Sequence, residues 1–235
     1  VTRSVTEFWV EPGQSIQKSL AAYGTSGTRK TLLNVASFSG GLLTDFAEKL
    51  IQYPHGCVEQ TVSAGFPQLY LADVMELSQE QKNLCAENVR KTIQKLKGFQ
   101  RFDGGFSYWP GEAATYDYAS SYVGHFLSEA RSKGFNVPEE MLNNLNEYQR
   151  KACASYNKSK FNNASYLEFN QAYRLYTLAV AGRADWAAMN RLMLQQEKTL
   201  MGKWLLAGAY ALSGKKEIAA KLIEGSAMEV PAYQD

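Results

Sequence analysis

Residues 53 to 60 read Tyr-Pro-His-Gly-Cys-Val-Glu-Gln, which places the thiol of Cys57 three residues before the side-chain amide of Gln60. This spacing can be closed covalently, because the Cys57 sulfur can displace ammonia from the amide carbon of Gln60 and form a macrocyclic thioester. The thioester is a stored acyl group, since a thiolate is a far better leaving group than the amide nitrogen that it replaces. The sequence therefore predicts that a nucleophile reaching this bond is acylated by Gln60.

The residues around this pair suit the chemistry in separate ways. Gly56 permits a positive φ just before the sulfur, and Pro54 fixes the chain that enters the turn. Glu59 is predicted to support the reaction by orienting or polarising the neighbouring amide. Tyr53 and His55 are predicted to shield the bond from water, which would otherwise hydrolyse it. A simpler interpretation, a small buried apolar side chain at the cysteine position, stays open.

Longer stretches of the chain resemble one family. Residues 53–61 closely resemble the thioester motif of alpha-2-macroglobulins, particularly the bacterial ones. Residues 103–110, Asp-Gly-Gly-Phe-Ser-Tyr-Trp-Pro, resemble the glycine-aromatic turn that follows the second long helix of the family's thioester domain. Residues 118–130 and 171–173 resemble later helices of that domain. The resemblance covers about residues 31–225 and is most specific from Cys57 to Gln60.

From about residue 41 the apolar pattern is helical to the end of the chain. It predicts helices over residues 42–51, 60–76, 79–97, 114–133, 138–155, 165–181, 184–195, 200–213 and 215–225. Successive helices joined by short loops pack as antiparallel hairpins, and a ring of such hairpins makes an α/α toroid. The predicted fold class is therefore all-α, an α/α toroid, which the resemblance also implies. The thioester pair is predicted to lie on the loop that enters helix 60–76.

The N-terminal segment differs from the rest of the chain. Residues 1–36 contain short β-favouring runs and turn residues, and they are predicted to be a strand-like lead-in at the edge of a neighbouring β domain. Residues 37–235 are predicted to be the thioester domain, truncated at its C-terminus because the family's toroid usually contains further helices.

Composition restricts the partners and cofactors. The 25 lysines and arginines against 23 aspartates and glutamates give a net charge of +2, so the charge makes no case for nucleic acid or an anionic membrane as partner. No apolar run approaches the length of a membrane span, and the start of the chain is not a signal peptide. Two histidines and no clustered aspartates predict neither a metal site nor a cofactor. Cys85 and Cys153 are predicted to be buried free thiols, with a disulfide between them as the alternative.

Two rival functions stay open. Residues 100–106 also resemble turns of terpene cyclases and prenyltransferase β subunits, which are α/α-toroid enzymes. Those enzymes need acidic or zinc motifs that this sequence does not show, so the turn is predicted to be structural, with Asp103 bonding its own turn and Phe106, Tyr108 and Trp109 packing the hairpin. Residues 183–225 have the small-residue spacing of tetratricopeptide-like repeats, which suggests a helical protein-binding module without covalent chemistry. No 34-residue consensus recurs, so the likeness is interpreted as the packing that helical hairpins share.

The family resemblance implies a covalent protease trap. An attacking endopeptidase cleaves a bait region elsewhere, the other domains of the macroglobulin rearrange, and Gln60 acylates a lysine of the protease. This is single-turnover inhibition and not turnover catalysis. His125 is predicted to be an ordinary helix histidine, and the place where some complement relatives carry an acyl-accepting histidine falls near Asn162-Asn163, which implies direct attack by amines.

The resemblance also implies a cellular location and a partner for this protein. The bacterial relatives are periplasmic, often as inner-membrane lipoproteins, and some work beside a peptidoglycan synthase. A role in bacterial defence, a periplasmic location and a peptidoglycan synthase as partner are therefore expected of this protein through the resemblance alone.

Overall fold

A computed structural model describes residues 4–6, 8–19, 21, 24–29, 31, 33, 35, 49–156, 164–195 and 198–226. The chain divides into two units, residues 1–44 and residues 45–235, while the predicted domain boundary between residues 36 and 37 stays a prediction. In the first unit the described residues include turns at residues 12–13 and 26–27 but no strand. The predicted strand-like character is thus not seen in them, because extended backbone becomes a strand only where a second segment pairs with it.

The described residues of the second unit are helical. The helices are α1 (Val58–Gly65), α2 (Leu71–Val74), α3 (Gln79–Leu96), α4 (Asp117–Ser132), α5 (Glu139–Ser155), α6 (Ala164–Val180), α7 (Trp186–Met193), α8 (Leu200–Leu212) and α9 (Lys216–Ile223), with a 3-10 turn at Pro67–Leu69. The predicted all-α class is confirmed. In this part of the chain, none of the helices combines the length and the apolar character that a membrane span requires.

One predicted helix is wrong in its extent. The helix predicted over residues 60–76 begins earlier, at Val58, and ends at Gly65, after which Pro67 opens the 3-10 turn and α2 follows. Proline has no N–H to donate and its ring restricts the preceding turn, so the α-helical ladder stops there although the apolar pattern continues. The helix predicted over residues 42–51 lies mostly outside the described residues, of which 49 and 50 are helical.

Two large buried clusters and a small one at Leu71, Leu77 and Cys85 lie among the described helices. In the first cluster α1 packs on α3 and α4, with Val58, Val62, Phe99 and Phe126 fully buried. The second cluster contains residues of α6, α7, α8 and α9. Helix α4 packs on α6 and so connects the two clusters. Because Val58 and Val62 face the first cluster, the opposite face of the first turn of α1 stays at the surface.

A buried arginine fixes the start of α4. Arg174 on α6 is 3% exposed, and its guanidinium lies 2.5 Å from Oδ1 of Asp117, the first residue of α4. The same carboxylate oxygen accepts a hydrogen bond from the Tyr148 hydroxyl of α5 at 3.0 Å. The negative charge also lies at a helix N-terminus, where it is favourable. These contacts join α4, α5 and α6 and set the position of the first turn of α4.

Candidate functional site

Cys57 and Gln60 meet at the start of α1. Cys57 is the N-cap residue and Gln60 is the third residue of the helix, and the two form a capping box. The Cys57 N–H donates to Oε1 of Gln60 at 3.0 Å, so the glutamine side chain folds back over the residue that carries the thiol. Cys57 is half-buried and Gln60 is exposed, so an attacking molecule has access to the amide side of the pair.

Gly56 is required by this geometry. It has the predicted positive φ, at 84°, and a Cβ built on it would lie 2.0 Å from Oε1 of Gln60. Any other residue at this position would both strain the backbone and displace the Gln60 side chain. The folded-back amide therefore depends on a glycine immediately before the cysteine.

The glycine-aromatic turn lies beside the pair. The Val58 N–H donates to the carbonyl oxygen of Tyr108 at 3.0 Å, which ties α1 to this turn. Asp103 accepts from the Gly105 N–H at 3.0 Å, so the predicted bond within its own turn is confirmed. Phe106 is buried as predicted, whereas Trp109 is 55% exposed. The packing role predicted for Trp109 is therefore wrong.

The position of Trp109 follows from the backbone. Its carbonyl oxygen accepts from the Glu112 N–H at 3.2 Å and from the Ser107 hydroxyl at 2.8 Å. These bonds close a second turn, which directs the indole ring outward.

The predicted shielding residues lie at the surface. Tyr53 is 58% exposed, and the Lys91 ammonium of α3 lies 5.2 Å from the centroid of its ring. His55 is exposed and Pro54 is buried. The shielding roles of Tyr53 and His55 stay predictions, as does the supporting role of Glu59.

Aromatic residues that the sequence reasoning did not assign to the site line the exposed side of α1. The Ser63 hydroxyl lies 3.2 Å from the Tyr122 hydroxyl of α4, and Tyr118 stacks on Tyr122 with ring centroids 5.9 Å apart. Burial raises the pKa of Tyr108 and of Tyr118, and the nearby Glu59 carboxylate raises both further. The signal in the sequence was the spacing of Tyr118 and Tyr122, four residues apart, which places both on one helix face.

His125 packs behind this surface. Its Nδ1 lies 3.2 Å from the Tyr173 hydroxyl, and its ring meets Phe66 edge-on at a centroid distance of 4.9 Å. Burial lowers the pKa of His125, and the Glu129 carboxylate opposes that shift. The histidine is a packed helix residue, as predicted. Asn162 and Asn163 lie outside the described residues.

The other thiols lie apart from this chemistry. Cys85 and Cys153 are buried and unpaired, which confirms the free-thiol prediction, and Cys57 alone of the three cysteines is half-buried. Burial raises the pKa of the Cys85 thiol, and it raises that of Cys153 to about 12. Both thiols are therefore held in the unreactive protonated form.

No metal cluster occurs in the described part, and the cavity beside α3 has a partly polar lining. No group of three or more His, Cys, Asp or Glu side chains there is placed to hold a metal ion. A cavity of about 570 Å³ lies between α3 and the turn after α4, and Arg90, Lys133 and Asn136 line part of it. This polar lining does not suit the terpene-like substrate of a cyclase.

Comparison with known proteins gives the class of this domain. The family described as the A-macroglobulin TED domain matches residues 31–148. The alpha-2-macroglobulin of Rickettsia conorii is 36% identical over 107 residues, which cover 43% of this chain and 6% of that protein. The chain therefore belongs to the A-macroglobulin TED domain family.

Solved structures show the same fold. Salmonella alpha-2-macroglobulin reacted with methylamine matches with a TM-score of 0.66 and 23% identity over 77% of this chain and 12% of that one. Trypsin-activated alpha-2-macroglobulin from Escherichia coli matches with a TM-score of 0.64 and 25% identity over 73% of this chain and 13% of that one. The predicted α/α toroid is confirmed. This chain spans only 6 to 13% of the length of these relatives.

Proposed function

We propose that this domain carries a Cys57–Gln60 thioester and serves a protease-trapping macroglobulin. The single observation that supports this best is the Gln60 side chain folded back to the Cys57 N–H at 3.0 Å, next to a glycine that leaves room for it. When an amine attacks the Gln60 carbonyl carbon, the C–N bond forms, the C–S bond breaks and Cys57 leaves as a thiolate. Gln60 and the amine then share a stable amide, so each molecule reacts once.

The position at a helix start favours this reaction. The first backbone N–H groups of α1 carry partial positive charge, which stabilises the tetrahedral oxyanion and the departing thiolate. Cys57 is half-buried and lies beside Tyr108 of the glycine-aromatic turn, so its sulfur is partly protected from water. Tyr53 and His55, with domains outside this chain, complete the shield in this proposal.

The relatives support the wider role. One was crystallised after reaction with methylamine, a small amine, and another after activation by trypsin. By analogy, cleavage of the full-length protein by an endopeptidase exposes the thioester, and a lysine of that protease is acylated. A periplasmic location, a lipoprotein anchor, a peptidoglycan synthase as partner and a role in bacterial defence belong to the same proposal.

Intact mass with peptide mapping tests the stored acyl group. Fresh full-length protein should lack about 17 Da, the mass of the ammonia lost on ring closure, and methylamine should convert Gln60 to a methylamide with release of the Cys57 thiol. Cys57→Ala should abolish covalent capture of a protease, whereas the matched variant Cys85→Ala should retain the acyl group. If Gln60 is unmodified in the full-length protein, the proposal is wrong. Reversible association that survives Cys57→Ala would instead favour the helical binding module.

A further inference from the structure

The reaction requires a lysine to lose a proton before it can attack. A lysine side chain has a pKa of about 10.4, so near neutral pH it reaches the site as an ammonium ion without a free electron pair. A site that captures lysines in preference to water or hydroxyl groups therefore benefits from a group that attracts the cation and then accepts its proton. The surface beside Gln60 carries such groups.

Glu59 is adjacent to Gln60 in the first turn of α1, and its side chain is exposed. It lies four residues before Ser63, so the two side chains share one face of the helix. Ser63 bonds Tyr122 at 3.2 Å, and this contact turns that face towards α4. No described residue forms an ion pair with the Glu59 carboxylate.

Tyr118 lies on α4, where its ring stacks on Tyr122, the residue that bonds Ser63. The two stacked rings make an interplanar angle of 25°, and the Tyr118 ring also stacks on Phe169 of α6, with centroids 6.3 Å apart. Asp117, the preceding residue, is held by Arg174, so the backbone that carries Tyr118 is fixed. An aromatic ring held in this way keeps a fixed orientation.

Tyr108 of the glycine-aromatic turn bonds the residue that precedes Glu59. Its carbonyl oxygen accepts the Val58 N–H, and its ring packs against Tyr116 with centroids 4.7 Å apart. The effect of the Glu59 charge on the pKa of both Tyr108 and Tyr118 agrees with the closeness of the carboxylate to the two phenols. Both phenols are neutral near neutral pH, since an ordinary tyrosine has a pKa of about 10.

We propose that Glu59, Tyr108 and Tyr118 form an ammonium-recognition site that selects cationic amines as the nucleophiles for the Gln60 acyl group. The inference rests on the proposed thioester. The carboxylate and the π faces attract the ammonium ion, and Glu59 then takes one proton from it. The free amine nitrogen attacks the Gln60 carbonyl carbon and Cys57 leaves as a thiolate. The second proton of the attacking nitrogen passes to the thiolate, and Glu59 returns its proton to solvent.

The selection acts through charge. Water, hydroxyl groups and uncharged amines gain nothing from the Glu59 carboxylate, whereas an ammonium ion is concentrated beside the bond that it attacks. The predicted consequence is a preference for cationic over neutral nucleophiles that depends on Glu59 and decreases with salt.

Reaction rates of the full-length protein with two small nucleophiles test the site. Methylamine is a cation near neutral pH and hydroxylamine is neutral, and mass spectrometry follows the modification of Gln60 by each. Glu59→Gln removes the charge but retains the shape, and it should lower the ratio of methylamine rate to hydroxylamine rate at least about tenfold. The matched control is Glu80→Gln, which changes the equivalent residue in the first turn of α3 and should leave the ratio within about twofold of wild type.

An unchanged ratio in Glu59→Gln, or an equal fall in both variants, would overturn the recognition site while leaving the thioester in place. If the wild-type protein contains no Cys57–Gln60 thioester, the proposed function is wrong, and so is the recognition site that depends on it. If Glu59→Gln fails to form the thioester, Tyr118→Leu and Tyr118→Phe decide the question. The first should lower the ratio several-fold and the second, which keeps a π face, should not. A ratio that stays constant in both variants, and at about 1 M salt, would overturn the site.

Discussion

Helices α1 and α3 begin in nearly the same way, yet only one start is a reaction site. Ser78 precedes α3 as Cys57 precedes α1, and each is followed three residues later by a glutamine. The Ser78 N–H donates to Oε1 of Gln81 at 2.9 Å, compared with 3.0 Å for Cys57 and Gln60. The Ser78 hydroxyl also accepts from the Gln81 N–H at 3.1 Å. Both starts are capping boxes, an ordinary way to satisfy the free N–H groups of a helix.

The two helix starts differ in a few residues, and these residues make the start of α1 a candidate reaction site. At α1 the hydroxyl is replaced by a thiol, which is a much better leaving group. The residue before the cap is Gly56 with a positive φ, whereas Leu77, a buried apolar residue, precedes Ser78. The backbone geometry brings the two side chains together in both helices, and the sulfur, the glycine and the aromatic neighbours are particular to α1.

Exchange of the sulfur for oxygen should have the largest effect. Cys57→Ser makes the start of α1 resemble that of α3, so methylamine incorporation at Gln60 should be lost completely while thermal unfolding stays unchanged, because serine is a good N-cap residue. The matched change at the other helix, Ser78→Ala, should keep incorporation and cost about 1 kcal/mol of stability. Mass spectrometry and thermal denaturation measure the two effects. Labelled Gln60 in Cys57→Ser would refute the role of the sulfur.

A change at Gly56 should have the next largest effect. In Gly56→Ala the new methyl group would meet Oε1 of Gln60, so the glutamine side chain must move away and the yield of thioester should fall at least about tenfold. Gly134→Ala is the control, because Gly134 has a φ of 85° but nothing within 4 Å of an added Cβ. It should cost only backbone strain of about 1 kcal/mol. Equal thioester yields in the two variants would show that the close approach to Gln60 is unimportant.

Features that depend on neighbouring residues could be predicted from the sequence, whereas contacts between distant segments could not. Cys57 and Gln60 are three residues apart on one helix, so their meeting follows from helix geometry alone. The contacts of α1 with Tyr108 and Tyr122 depend on how the turn and α4 pack on α1, which no local pattern encodes. The end of α1 at Gly65 was missed for a related reason, since the apolar period continues across Pro67 while the backbone hydrogen bonds do not. The helices predicted from residue 79 onward differ by three residues or fewer at either end from the observed ones because their caps and glycines are local signals.

Acid should affect α1 more than α3. The Phe66 ring that follows α1 rests against His125, whose pKa is lowered by burial. The unfolded chain therefore binds a proton at higher pH than the folded one, so this stability is complete above the ordinary histidine pKa of 6.5 and is lost as the pH falls below it. Between about pH 7 and about pH 5, the amide protection factors, which correct for the slower intrinsic exchange in acid, should fall more in residues 58–66 than in residues 79–96. In His125→Gln the difference between these two segments should no longer depend on pH, and a persistent dependence would assign the effect to another group.

The smallest effect is expected where α3 contacts the segment that precedes α1. Lys91 of α3 lies over the ring of Tyr53 and is held by Glu87 at 2.6 Å, so α3 contributes to the position of the tyrosine that is predicted to shield the thioester. Both members of the ion pair are exposed, and cation–π contacts at such sites are weak, so Lys91→Leu should raise the rate of thioester hydrolysis only about twofold. Lys91→Arg retains a cation over the ring and should restore the wild-type rate. Mass spectrometry measures the rate of thioester hydrolysis in each variant. A rate raised equally in both variants would indicate altered packing of α3. An unchanged rate in both would show that the Lys91 contact does not position Tyr53.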